Sequence, residues 1–308
     1  MHTKQYSIHV PVLLESVVKF LHPMAGESYV DMTAGYGGHA RAILEKTEAP
    51  EQAVLVDRDS EAIAALQPLA DKGVRLLHAD FLSASQTLLK AGKRFDVILA
   101  DLGVSSLHFD KQDRGFSFKH NAPLDMRMDT RQTLTAADIV NTYSPEQLLA
   151  ILREYGEEPR SKRIVDMLCA KRPFTHTSEL ADAIAAALPG RGKIHPATRT
   201  FQALRIAVND ELGMLKQAIP VWLGLLAPGG RLGIISFHSL EDRIVKQAFA
   251  SVSGNRYDAP YHLLTNKPVV ADDHETVSNP RARSAKFRAV ANKNNKEREH
   301  HYANSRKK

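Results

Sequence analysis

The sequence predicts an α/β protein: a parallel sheet covered by helices on both faces and split by a helical insert. Three observations carry this. Short apolar runs alternate with helix-length segments through the first third of the chain. The alternation stops at about residue 107 and gives way to helical signals. It resumes after residue 197 with a helix, a Pro-Gly-Gly turn and another apolar strand. Strands alternating with helices in this way imply parallel pairing with both faces buried. The 308 residues are 43% hydrophobic and 25% charged. That is enough apolar material for a sizeable core and too much for a wholly disordered chain.

Tyr29–Met32 reads as the first strand, Gly35–Gly38 as a turn and His39–Lys46 as a helix. Ala53–Asp57 is the second strand. Glu61–Ala70 is a helix capped by Asp59 or Ser60, Val74–Ala79 the third strand and Phe95–Asp101 the fourth. Leu107–Arg131 has no clean period and reads as a lid or binding loop. Helices follow. One opens at Ser144-Pro145-Glu146-Gln147 with a capping box and closes at Gly156. Another runs from Pro159 to Arg172 before Pro173, and a third from Thr177 to Pro189-Gly190. The sheet pattern returns with a long helix from Arg199 to about Leu226 and a strand Arg231–Phe237. A helix capped by Ser239, with Asp242 three residues on, comes next. The expected organisation is a sheet domain over 1–107 and 198–291, a lid and helical insert over 108–197, and a basic flexible tail over 292–308.

Several function classes are excluded at this stage. The longest mostly apolar run, Ala218–Ala227, is ten residues and contains Pro220 and Gly224; a spanning helix needs roughly 20. No membrane partner is expected, and the lack of a visible secretory signal predicts a cytoplasmic location. The single cysteine, Cys169, excludes an intramolecular disulfide, a zinc ribbon and a multi-thiolate cluster. It sits among apolar residues and reads as core rather than nucleophile. No metal site is expected: the histidines lack ligand spacing, and Asp272-Asp273-His274-Glu275 reads as a solvated loop.

Charge is unevenly spread. Residues 281–308 carry a balance of +8 within a chain of net charge +6, leaving −2 for the rest. A basic end suits a polyanion, most often nucleic acid.

The chemistry-bearing residues gather at strand carboxyl ends, where open α/β sheets bind ligands. Asp31 precedes the turn that holds Gly35, Gly37, Gly38 and His39. Asp57 ends the second strand, Asp80-Phe81 follows the third and Asp101 ends the fourth. Glycines let backbone approach a ligand, and a carboxylate after the second strand can accept hydrogen bonds from ribose hydroxyls. Gly35-x-Gly37-x-x-Ala40 also satisfies a dinucleotide pattern, so a nicotinamide-dependent oxidoreductase is the alternative. Asp31 argues against it, since a carboxylate there repels a pyrophosphate but can hold the ammonium group of S-adenosylmethionine.

Several further blocks complete a pattern: Asp101-Leu102-Gly103-Val104-Ser105-Ser106, Arg114-Gly115-Phe116-Ser117-Phe118, Pro123-Leu124-Asp125-Met126-Arg127-Met128, Tyr155-Gly156-Glu157-Glu158, His195–Gln202, Ser236–Arg243 and Asn279–Ser284. With Asp31–His39 they resemble the bacterial 16S ribosomal RNA cytosine-N4 methyltransferases. The resemblance implies a Rossmann-like class I S-adenosylmethionine-dependent methyltransferase sheet with an inserted helical domain that binds RNA. It implies methylation of the exocyclic N4 amine of a decoding-site cytidine in 16S ribosomal RNA, free or within the small ribosomal subunit, and a homodimer as one form of the protein. By the same resemblance Gly37, Gly38, His39, Asp57, Phe81, Asp101 and His108 contact the donor; His108 stands where the family often has Gln. A ribosome-assembly factor without turnover is a second alternative.

Cytosine N4 is a poor nucleophile, so acceptors near its N–H help it pyramidalise and lose a proton. Asp101, Ser105 and Ser106 follow the fourth strand and are candidates. His238, at the end of the fifth strand, is a candidate general base or RNA contact. Arg199, Gln202, Arg205 and Asn209 form a polar stripe with no acid on it, suited to RNA, and His195 precedes it. Arg114 and Phe116 belong to the same RNA-contact set, with Phe116 and Phe118 as stacking rings. Asp125 and Arg127 belong to the RNA-contact set as well and pair with each other to order the lid.

Overall fold

The computed structural model describes residues 11–103, 114–188, 195–253 and 259–293. The chain divides into two compact units, Met1–Gly103 with Met214–Lys308, and Val104–Gly213. The division falls at Gly213, so the helix expected to reopen the sheet domain at residue 198 belongs to the helical unit.

The first unit is a seven-stranded sheet in the order β3-β2-β1-β4-β5-β7-β6. The strands are β1 (Tyr29–Asp31), β2 (Ala53–Asp57), β3 (Arg75–His78), β4 (Phe95–Asp101), β5 (Leu226–Ser236), β6 (Tyr261–Leu263) and β7 (Lys286–Asn292). β1 to β5 pair in parallel, while β7 runs antiparallel to both β5 and β6. The side-chain period of two divides the apolar residues between two cores. Tyr29, Leu55, Val97, Leu99 and Phe287 face one side; there they meet α1 (Leu14–Leu21) and α2 (Gly38–Thr47). Val30, Val54, Val56, Ile98, Leu232 and Val290 face the other, where Leu88 and Trp222 pack. This is the Rossmann-like α/β sheet that the alternating pattern predicts.

The expected strands appear within a residue or two, except that β5 starts five residues early. Three expectations are corrected. The helix from Arg199 to Leu226 breaks at Asp210, whose φ of 46° and ψ of 39° are left-handed. Aspartate tolerates that conformation, and the missing side chain of Gly213 makes room for the Asp210 carboxylate. The helix Ser239–Val252 is capped by His238, not Ser239: the His238 ring accepts from the Glu241 N–H, and the Glu241 side chain accepts from the His238 N–H. Asp272–Glu275 is not a loop; Asp272 caps a short helix, Asp273–Ser278, and Glu275 accepts a hydrogen bond from the Leu13 N–H at 2.6 Å. The tail expected from residue 292 begins after a folded strand, since Asn292 ends β7; residues 294–308 lie outside the described residues. No described helix is long and apolar enough to cross a membrane.

The second unit holds its own core. Phe116, Met126, Ile139, Leu152, Ile164, Leu180, Phe201 and Leu204 are buried together. They come from a loop and from helices Ala136–Thr142, Pro145–Glu154, Ser161–Lys171, Thr177–Ala187 and Thr198–Asn209. Cys169 packs against this core, in keeping with its reading as a core residue.

One buried ion pair fastens the middle of β5. Arg231, 1% exposed, makes a two-pronged contact with Glu27 at 2.8 and 2.7 Å and donates to the Leu21 and His22 carbonyls. Removing one partner leaves a buried charge uncompensated. Glu27→Ala is therefore expected to lower stability by ~3–5 kcal/mol in urea unfolding.

Candidate active site

The carboxyl ends of β1, β2 and β4 bring three aspartates to one lip of the sheet. Asp31 is 1% exposed and accepts from the Tyr29 hydroxyl at 2.7 Å and the Thr33 N–H at 3.1 Å. Burial raises its carboxyl from 3.8 to about 6, with the Asp57 charge adding to the shift and the two hydrogen bonds opposing it. Asp57 accepts from the Gly35 N–H and the Asp59 N–H, each at 2.8 Å, which ties β2 to the glycine turn. Burial raises its carboxyl too. Asp101 is held by its own N–H, which donates to the Thr33 hydroxyl at 2.6 Å. Burial pushes its carboxyl well above the usual range, and the charges of Asp31 and Glu241 push it further. Its Oδ2 lies 3.6 Å from His39 Nδ1, while its Oδ1 is buried with no hydrogen-bond partner.

The glycine turn is shaped by its neighbours as much as by any ligand. Gly37 has φ +81°, and a Cβ there would lie 2.8 Å from Leu66 Cδ2; one on Gly38 would lie 2.7 Å from Pro11 Cγ. At Gly35, with φ +51°, a Cβ would meet the Thr33 carbonyl oxygen at 4.0 Å, an ordinary contact. His39 is buried, and its Nε2 sits 2.9 Å from the Val12 carbonyl. Asp80 caps the helix Phe81–Lys90 through Ser83, whose N–H and hydroxyl engage it at 2.8 and 2.7 Å. Phe81 stands edge-on to Trp222 with centroids 5.5 Å apart. Ser105, Ser106 and His108 lie outside the described residues.

The His238 cap directs both ring nitrogens at Glu241: Nδ1 accepts from its N–H at 3.3 Å, and Nε2 stands 3.3 Å from its Oε1 without hydrogen-bond geometry. Tyr29, Thr33 and Glu241 are the residues that sequence reasoning missed. Tyr29 looked like a core strand residue. Glu241 was findable, because His238-Ser239-Leu240-Glu241 has capping-box spacing.

An acidic lip and an orphaned buried carboxylate oxygen suit a small cationic ligand better than a pyrophosphate. The residues fit S-adenosylmethionine, whose sulfonium and ammonium would offset the clustered negative charge.

In the helical unit, the predicted RNA residues separate into exposed and internal sets. His195 and Arg199 are exposed. Arg199 also donates to the Glu157 carbonyl at 3.0 Å, and Gln202 to the Tyr155 carbonyl at 3.1 Å. Arg114 donates to the carbonyls of Arg127 and Met128. Burial pushes the Asp125 carboxyl up, but Arg127, paired with it at 2.7 Å, outweighs that and holds it below the ordinary range. Two expectations need correcting. Phe116 is buried in the helical core and is no stacking platform, while Phe118 already lies tilted against His195 at 4.6 Å and edge-on to Phe201 at 4.9 Å. The polar stripe carries no acid of its own but is not free for RNA, since Arg205 grips Glu211 of the following helix at 2.8 and 2.9 Å and Asn209 is buried. Asn209 accepts from the Met128 N–H and donates to the Met126 and Arg205 carbonyls, all at 2.8 Å. It clamps a loop in which Met126 has φ +63°.

The sheet order, with its antiparallel β7 beside β5, and the acidic, glycine-bordered lip define a class I methyltransferase. The chain belongs to the MraW methylase family, whose model matches residues 6–293. It is similar to ribosomal RNA small subunit methyltransferase H of Synechocystis sp., 48% identical over 306 residues that cover 94% of this chain and 96% of that one. The protein of the same name from Heliobacterium mobile is 45% identical over 306 residues, covering 92% and 98%. A solved rRNA methylase from Streptococcus thermophilus is similar over 94% of this chain and 99% of its own, at 11% identity and a TM-score of 0.40.

Asn209→Ala strands a buried N–H and two carbonyls. We expect a loss of ~1–3 kcal/mol and faster amide exchange at Met128; unchanged exchange there would remove the clamp.

Proposed function

We propose that this protein methylates the exocyclic N4 amine of a decoding-site cytidine in 16S ribosomal RNA, with S-adenosylmethionine as donor. The observation that carries the reading is the trio Asp31, Asp57 and Asp101 at one lip of the sheet, two of them tied to the turn that follows β1. Membership of a methylase family and relatives named for small-subunit ribosomal RNA support it.

S-adenosylmethionine supplies an already activated methyl group, so positioning carries much of the catalysis. Asp31 and Asp57 are the acceptors for its ammonium and ribose, and Gly35, Gly37, Gly38, His39 and Phe81 border the site. Asp80 serves first as a cap. Asp101 has an unpartnered buried oxygen and a raised affinity for a proton. It is suited to accept a hydrogen bond from N4–H and then its proton. His238 accepts from the Glu241 N–H through Nδ1, so its Nε2 carries the ring proton and serves this reading as a donor toward RNA. Ser105 and Ser106 keep the acceptor role that their position after the fourth strand suggests, and His108 the donor contact that the resemblance implies. The helical unit is the RNA-binding module in this reading, with His195 and Arg199 toward RNA and Arg114, Asp125, Arg127, Gln202, Arg205 and Asn209 ordering the segments that carry them.

The test is labelled methyl transfer to ribosomal RNA or small subunits from cells lacking the protein, followed by nucleoside analysis. Label in N4-methylcytidine is expected. Label at carbon 5, or binding of NAD in place of S-adenosylmethionine, overturns the reading.

A pH dependence follows from Asp31. With its carboxyl at about 6, the ionised form holds above that value and is lost as pH falls through it. Calorimetry is expected to show donor affinity flat above about pH 7 and falling below about 6, approaching tenfold per pH unit. The fold behaves oppositely. The native state holds this proton more tightly than the unfolded chain, so Asp31 adds stability as pH falls from about 6 toward 3.8.

A further inference from the structure

We infer that Tyr29 is a positioning residue for donor binding: its hydroxyl aims and holds the Asp31 carboxylate as acceptor for the donor's cationic end. This rests on the donor site proposed above. Tyr29 and Asp31 stand two apart on β1 and therefore on one face of the sheet. The hydroxyl donates to Asp31 Oδ2 at 2.7 Å, and both residues are buried, at 0% and 1% exposure. The Thr33 N–H takes the other oxygen at 3.1 Å. One hydrogen bond from the face of the strand and one from the turn fix the plane of the carboxylate.

The surroundings make the hydroxyl more than a space-filler. The charged groups around Asp31 are mostly of its own sign: Asp57 from β2 and Asp101 from β4. Beyond Asp101 stand His39 on α2 at 3.6 Å and Glu241 on the helix that follows β5. Burial and like charge both favour the protonated, uncharged Asp31, which cannot pair with a cation as well. A hydrogen bond given to the ionised form opposes them. Tyr29 can give it because burial and the neighbouring Asp31 raise its own hydroxyl well above the usual value, so it stays a donor. Phenylalanine would fill the same core volume and lose only this bond.

The experiment is calorimetric titration of S-adenosylmethionine into the full chain at a series of pH values, for wild type, Tyr29→Phe, Asp31→Asn and the double variant. Carbon-13 NMR titration of the Asp31 carboxyl in the ligand-free protein accompanies it. Tyr29→Phe is expected to move the acid limb of the affinity profile, and the NMR midpoint, upward by about 1 pH unit. That is about a tenfold loss of affinity near the limb and little loss far above it. Asp31→Asn is expected to weaken binding and abolish the limb, with Tyr29→Phe adding nothing in its background. Should Tyr29→Phe not fold, 3-fluorotyrosine placed at position 29 keeps the ring and gives a more acidic hydroxyl, and the limb moves down. If Asp31→Asn leaves affinity and profile intact, the donor-site reading itself falls. If Asp31→Asn acts as stated but neither Tyr29 replacement moves limb or midpoint, the inference about Tyr29 falls alone.

Discussion

The sheet unit is organised around an electrostatic conflict. Parallel strands deliver their last residues to one edge, and in β1, β2 and β4 those residues are Asp31, Asp57 and Asp101. Burial alone disfavours a carboxylate, and neighbouring carboxylates deepen the penalty. The fold spends local hydrogen bonds on the problem: a tyrosine hydroxyl, the Thr33 and Gly35 amides, and the Asp59 amide. Asp101 receives less, and one of its oxygens has no partner. An arrangement so short of positive charge is costly when empty and gains most from a small cation. Affinity and instability here have one origin.

The helical unit solves a different problem, that of holding a long loop without regular structure. Its polar side chains are largely committed to backbone. Arg114, Arg127 and Asn209 take up carbonyls and amides between residues 126 and 132, so the loop is as satisfied as a helix would be. Apolar residues of the same segment, Met126 and Met128, then sink into the helical core. Polar groups that resemble a recognition surface in sequence here hold the loop together from inside.

How much of this was readable beforehand differed by element. Strands β1 to β5 were legible because period-two apolar runs and turn residues are local signals. The acidic lip was legible for the same reason: each aspartate follows a recognisable strand. Antiparallel β7 was not, since Lys286 and Arg288 interrupt its apolar run and no strand is read there although the segment lies within the expected sheet domain. Only the fold shows that Arg288 is buried against Asp242 at 2.6 Å. The break at Asp210 escaped because the apolar stripe continues across it through Leu212 and Leu215. The polar stripe misled for a related reason: a helical wheel shows which residues share a face, not whether that face meets solvent. Asn209 and Arg205 find their partners 81 residues back and 6 residues on, at separations no period encodes.

The reversed direction of β7 fixes where the chain leaves the sheet. Lys286 pairs with Ser236 beside the acidic edge, whereas Ala291 pairs with Arg231 at the middle of β5. At about 3.4 Å per residue, the last strand carries the backbone roughly 20 Å from that edge before Lys293. The ammonium group of Lys293, the last described residue of this segment, is thereby kept away from Asp31, Asp57 and Asp101 and offsets little of their charge.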